Sequence, residues 1–266
     1  MSPTRGDVVV AVGSLNWTMS IVAGSFFAVP TLAPAIAADL GVDAGVVGLY
    51  ATVVFVVGMV SSLLGGPLAA RFGAVRVLVV CMASVAAAMA LAGGGSVVWL
   101  LLAALVLGIG FGPETPASSL VLARVASGAR RPLIFSIKQT GNQIGGMLGS
   151  LTLPALLPLI GWQGGLLMFA GLALVTIPLL LALRPRLEPP PVIDPRPPLA
   201  VLSSSLALVL QTDALRRLAA ASFGVSLAQT CMHTFLVSFA VIDRGFTLAT
   251  GALLLTACQI GGFVGR

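Results

Sequence analysis

Glu114 and Lys138 each stand inside a long apolar run of this 266-residue sequence. A charge in hydrocarbon is expensive, so it faces a cavity or pairs with a partner. Glu114 precedes the end of its run by roughly seven residues and Lys138 lies about five into the next, so at about 1.5 Å per residue both sit roughly 8–10 Å below one membrane surface. Consecutive antiparallel helices are neighbours, which permits a direct ion pair. Two readings follow. One is a substrate or proton site near an inner gate. The other is a pair that neutralises itself, or a lysine that snorkels to the surface.

Lys138 opens a polar face. Asn142, Gly145 and Gly149 follow it at helical spacing, with Gln139 and Gln143 one position round. Amides beside a cation suit an anionic or hydrogen-bonding substrate; the alternative is glue between helices. A later run carries Ser222, Ser226, Gln229, Thr230 and His233, whose spacings place them on one helical face. His233 is the single histidine, the side-chain type that exchanges protons near neutral pH; a packing role is the alternative. Asn16 and Ser20, four apart in the first run, repeat the pattern more weakly.

Nothing here builds an enzyme. Cys81, Cys231 and Cys258 all fall within apolar runs, with neither disulfide nor metal spacing. No phosphate-cradling glycine loop is present, nor a nucleophile beside a base. The expectation is therefore no catalytic residue, no metal and no cofactor.

Charged residues make up 8% of the chain and hydrophobic residues 58%, with a mean hydropathy of +1.09. A soluble domain carries about 25% charged residues, so this chain cannot cover itself with polar surface and belongs in a lipid bilayer. The net charge of +6 does not point to nucleic acid, because the basic residues sit in short loops between apolar runs. Eight such runs are legible, near 8–30, 46–65, 76–93, 97–121, 133–157, 163–183, 218–241 and 247–266. Alternate loops starting from the N-terminus hold Arg5, Arg71, Arg76, Arg124, Arg130, Arg131, Arg184, Arg186, Arg196, Arg216 and Arg217. The opposite loops hold only Arg244. Basic residues stay on the inner side, so the N-terminus is expected in the cytoplasm. Pro185 to Pro198 reads as an extended linker, and Leu199 to Leu210 as a short helix along the inner surface.

The stretch Gly65-Gly66-Pro67-Leu68-Ala69-Ala70-Arg71-Phe72-Gly73-Ala74-Val75-Arg76 joins the second and third runs. It resembles the signature loop of the major facilitator superfamily. Gly66, Leu68, Ala69, Arg71, Gly73 and Arg76 fit that pattern, whereas Ala70 stands where the family usually has an acid. Pro34 to Gly41 resembles the family's first outer loop. Ser136 to Gly141, with Gly145-Gly146 and Gly161-Trp162, is similar to fifth-span segments of bacterial members. Among these, the cyanate-permease-like carriers of small anions are nearest. Asn142 replaces the proline of the drug-antiporter signature, and Ala104 replaces an arginine usual in the fourth span.

The resemblance implies an all-α polytopic membrane bundle. Residues 1–183 would form the six-helix N-terminal half, 184–217 a cytoplasmic linker, and 218–266 the start of the C-terminal half. Superposing Gly245 on Gly41 carries Gly262 onto Gly58 and Arg266 onto Ser62, so the sequence is expected to stop inside its eighth span. The implied function is secondary transport of a small solute, an anion among the options, across a bacterial inner membrane by alternating access. A coupling proton is a candidate co-substrate. The implied pathway residues are Asn16, Ser20, Glu114, Lys138, Asn142, Gln143, Ser226, Gln229, Thr230 and His233. Gly66, Arg71, Gly73 and Arg76 would serve conformational exchange. The rival readings are a non-transporting fragment and a drug or metabolite exporter of the same superfamily.

Overall fold

The computed structural model describes residues 5–43, 45–126, 130–188 and 198–266. These form the helices α1 (Arg5–Leu40), α2 (Val46–Phe72), α3 (Ala74–Ala92), α4 (Val97–Val125), α5 (Arg131–Gln139), α6 (Gly141–Leu187), α7 (Pro198–Gln211), α8 (Asp213–Ser238) and α9 (Leu248–Val264). A π-helical turn, Phe239–Asp243, extends α8. No strand occurs among the described residues, as a chain that must satisfy its backbone inside lipid requires.

Six helical stretches are long and apolar enough to cross a membrane. One of them, Arg131–Leu187, has 57 residues and contains two crossings. Gly161 breaks it with φ 68° and ψ 175°, a backbone state open mainly to glycine. Side-chain contacts prove the reversal. Asn16, near the start of α1, donates to Thr140 Oγ1 at 3.1 Å, and Trp17 Nε1 donates to Thr176 Oγ1 at 3.0 Å. Trp162 Nε1, however, donates to Asp39 at the far end of α1, at 2.8 Å. The chain therefore leaves one face near Thr140, turns at Gly161 beside Asp39, and returns by Thr176. With the apolar 17-residue α9, at the short limit for a span, the eight runs of the sequence are all helical. The chain is a multi-pass membrane protein.

Three boundaries differ from expectation. The segment read as an outer loop, Pro34 to Gly41, is helical as far as Leu40, with Pro30 and Pro34 inside α1. Prolines are tolerated in buried membrane helices, where neighbouring helices re-satisfy the freed carbonyls. The Gly65–Arg76 turn is far shorter than expected: α2 continues through Pro67 to Phe72 and α3 begins at Ala74. Pro185 lies within the last turn of α6. The remainder of the proline-rich linker, 189–197 with Arg196, lies outside the described residues.

Small residues set the packing. α1 runs along α6, and both α2 and α3 pack on α4. Gly24 of α1 and Gly145 of α6 meet backbone to backbone, and a β-carbon on either would collide with the other helix. Between α4 and α2 the closest approach is at Gly112, where a β-carbon would collide with the carbonyl of Gly58 and the amide of Ser62. Such crossings bring helices together where no hydrophobic force acts. Two hydroxyls of α1 are satisfied along their own helix, Thr18 to Ser14 O and Ser20 to Asn16 O, both at 2.8 Å.

Candidate functional site

The last turn of α5 carries Lys138 and the middle of α4 carries Glu114. Lys138 Nζ lies 2.8 Å from Glu114 Oε2, with the two side chains 3% and 1% exposed. Thr115 Oγ1 donates to the same oxygen at 3.2 Å, and Met19 Sδ lies 3.7 Å from the ammonium. Glu114 Oε1 is buried and has no partner among the described residues. The direct pair allowed by the sequence thus forms, but Glu114 lies deeper than expected. α4 extends to Val125, eleven residues beyond it, which is roughly 16 Å at 1.5 Å per residue.

α1 fixes the junction between α5 and α6. Asn16 Nδ2 donates to Ile137 O at 2.8 Å as well as to Thr140 Oγ1, which pins the α5–α6 junction at Thr140. The structure therefore brings Asn16 to the backbone of Lys138 and Lys138 to Glu114, whereas Ser20 packs on Gly145 of α6. Asn16 spends its amide on backbone and hydroxyl acceptors there.

Gln143 goes elsewhere. Asn142 is half-buried. Gln143 is buried and faces α9. With its amide oxygen toward Arg266 it accepts from Nε at 3.3 Å and Nη2 at 3.2 Å, while its nitrogen donates to Gln139 O at 3.1 Å. Arg266 also donates to Gln139 O at 3.1 Å, and Ser136 Oγ donates to Arg266 O at 2.7 Å. Farther along, Ser150 and Thr256 share a hydrogen bond of 2.7 Å. Gln259 is fully buried against Gly146, with neither amide atom partnered among the described residues. The polar positions of the fifth span thus divide between the ion pair and a seam with α9. Gln259, which gave no reading in the sequence, belongs to that seam.

The α8 stripe splits as well. Ser222 and Ser226 are exposed, Gln229 and Thr230 half-buried, and His233 buried. Ser226 and Thr230 line a cleft of about 460 Å³ between α2 and α8, together with Thr52, Phe55 and Phe223. His233 stacks edge-on against Phe27, with ring centroids 5.5 Å apart. Phe27 contacts Phe26, and Phe26, Phe55 and Phe111 contact one another with centroids 5.0–5.8 Å apart. This aromatic knot joins α1, α2, α4 and α8. Met19 marks the level of Lys138 on α1 and Phe27 the level of His233, so the two clusters lie roughly 12 Å apart along that helix.

The expected signature loop reduces to Gly73, whose φ of 102° suits glycine alone. Gly66 is helical with open space around it; Arg71 and Arg76 are exposed. Glu188, which the sequence reading passed over, packs its carboxylate against Gly73. It pairs with Arg184 at 3.1 Å, and its carbonyl accepts from Arg124. The loop that lacks an acid at Ala70 therefore meets one brought from the end of α6. No metal-holding group of three His, Cys, Asp or Glu occurs among the described residues.

The Major Facilitator Superfamily profile matches residues 15–266. Among solved structures, the chain is similar to the peptide transporter POT in complex with sulfate, with 19% identity and a TM-score of 0.57 over 96% of this chain and 50% of that one. It is also similar to the POT family transporter PepTSo, with 18% identity and a TM-score of 0.58 over 95% of this chain and 52% of that one. At such identities the likeness is one of fold. The chain spans about half the length of these solved structures. No curated protein matches it.

Proposed function

This chain belongs to the major facilitator superfamily, and we propose that it carries the first half, and the opening helices of the second, of a secondary transporter working by alternating access. Residues 1–183 form the first six-helix half, 184–217 join the halves on the cytoplasmic side, and 218–266 open the second half. The membrane is a bacterial inner membrane.

The observation that carries the substrate reading is the buried pair of Lys138 and Glu114 with its unpartnered Oε1. A cation in a membrane span needs a compensating anion at every stage of the cycle. Glu114 compensates Lys138 in the form described here. Protonation of Glu114 would free the ammonium, and a small substrate anion would take the carboxylate's place. Proton and anion would then move together, with Asn16 holding the α5–α6 junction in register. The peptide transporter POT, whose structure holds sulfate, shares this fold, and an anionic substrate is consistent with that. The α8 residues Ser226, Gln229, Thr230 and His233 lie on the same route at another depth, and Asn142 and Gln143 border it on α6. Gly66, Arg71, Gly73 and Arg76 act in the exchange between states.

The test is thermal stabilisation of the detergent-solubilised full-length protein across a panel of small anions and neutral solutes. At least one anion should stabilise the wild type and fail to stabilise Lys138→Met. Stabilisation by neutral solutes alone, or equal stabilisation of both proteins by every anion, overturns the anion reading.

Orientation has its own check. In a protein whose native cysteines are replaced, Arg244→Cys should react with a membrane-impermeant maleimide added outside intact cells, and Gln211→Cys only after permeabilisation. The reverse result overturns the cytoplasmic N-terminus.

A further inference from the structure

We propose that the groove between α2 and α3 holds an anionic phospholipid, one tail along the groove and the phosphate on Arg71 and Arg76. The groove has a volume of about 620 Å³. One wall is a stripe of α2 at four-residue spacing, Val56, Val60, Leu64, Leu68 and Phe72. The sixteen helical steps from Val56 to Phe72 give it a length of roughly 24 Å, more than the depth of one leaflet, about half of the roughly 30 Å hydrocarbon core. Val80 of α3 forms the other wall, and Pro113 of α4 lies at the floor. Val56, Val60 and Val80 are each more than half exposed.

The chemistry of the lining selects hydrocarbon. Ser61, the one hydroxyl in it, donates to Gly108 O at 2.8 Å, so the wall offers a polar solute nothing. At the Phe72 end the chemistry changes. The Arg71 guanidinium lies 5.6 Å from the centre of the Phe72 ring, and Arg76 Nη1 reaches Phe72 O at 3.4 Å. Both arginines are exposed; Arg76 lines the groove, and Arg71 flanks it through its contact with Phe72. Planar guanidinium forks bind phosphate oxygens in pairs. Glu188, the carboxylate at neighbouring Gly73, is already held by Arg184, and Gly65 to Val80 contains no acid. The mouth therefore carries surplus positive charge. It attracts a net-negative headgroup and repels the ammonium of a zwitterionic one.

The experiment is native mass spectrometry of the full-length protein, delipidated and titrated with phosphatidylglycerol, phosphatidylethanolamine or inorganic phosphate. Wild type should retain phosphatidylglycerol at least about tenfold more tightly than phosphatidylethanolamine, the scale expected of two interfacial arginines. Inorganic phosphate alone should not bind. Arg71→Gln with Arg76→Gln should abolish the preference. Val60→Trp, which fills the groove from an exposed position, should release the tail and weaken retention of both lipids; should the double variant fail to fold, this variant decides alone. Equal retention of the two lipids by wild type, undiminished binding in either variant, or displacement of the lipid by inorganic phosphate overturns the proposal. So does cross-linking of a probe at position 60 to another part of the polypeptide, which would show protein in the groove.

Discussion

Lys138→Met should lower the stability of the protein in detergent by about 3–5 kcal/mol, the cost of leaving a buried charge without its partner. Glu114→Gln should do the same from the other side, because it strands the ammonium. Combining them should recover much of the loss, since replacing both members of a buried pair is often nearly neutral. The geometry explains the size of the effect. The two groups are 2.8 Å apart and almost fully buried, and the thioether of Met19 is the other neighbour of the ammonium. A thioether is only a weak acceptor. The measurement is a thermal or denaturant melt of the wild type, both single variants and the double variant, read as a double-mutant cycle. Additive losses would show that the pair does not couple and that Lys138 is compensated by something else.

Gly145→Val should be strongly destabilising. A β-carbon at Gly145 meets the carbonyl of Ser20, the amide of Gly24 and the β-carbon of Ala23. Two of these are backbone atoms of a helix that cannot rotate away, so α1 and α6 must separate. Ordinary overpacking costs about 1–3 kcal/mol because side chains yield; here the main obstacle is main chain, and the cost should exceed that range. Gly66→Ala is the matched control. Gly66 is equally apolar in setting and sits in the signature stretch, but its β-carbon would meet nothing within 4 Å. Alanine there should stabilise α2 by up to about 1 kcal/mol through helix propensity. Melting temperatures and the yield of folded protein distinguish the two. Similar behaviour of the two variants would mean that the α1–α6 crossing is not as close as described.

The eight apolar helical runs were legible because hydrocarbon solvent demands long apolar runs, and this chain has them. Gly73 was legible as a turn, and the pairing of Lys138 with Glu114 was legible as an option because few groups could compensate either charge. Helix ends were not. Pro34 and Pro185 signal breaks, whereas the first lies within α1 and the second in the exposed last turn of α6. The aromatic knot was hidden because, within an apolar run, a phenylalanine facing the core looks like one facing lipid. Phe26 is 3% exposed and Phe223 69%, and nothing local in the sequence separates them. The division of the polar stripes was hidden for a related reason. Helical periodicity tells which residues share a face, but not which neighbour the face meets. Gln143 thus met α9 instead of Lys138, and His233 met Phe27.

The pairing of Lys138 with Glu114 also has an electrical meaning. A single charge carried across the membrane potential exchanges about 2.3 kcal/mol with the field for every 100 mV. Two opposite charges 2.8 Å apart that move as one body exchange almost nothing. A neutral Glu114 with an anion on Lys138 is likewise uncharged as a unit. Rocking of the halves around this centre would therefore carry no gating charge from it. Under the proposed exchange of proton and anion, this centre would add no voltage dependence to reorientation in either form.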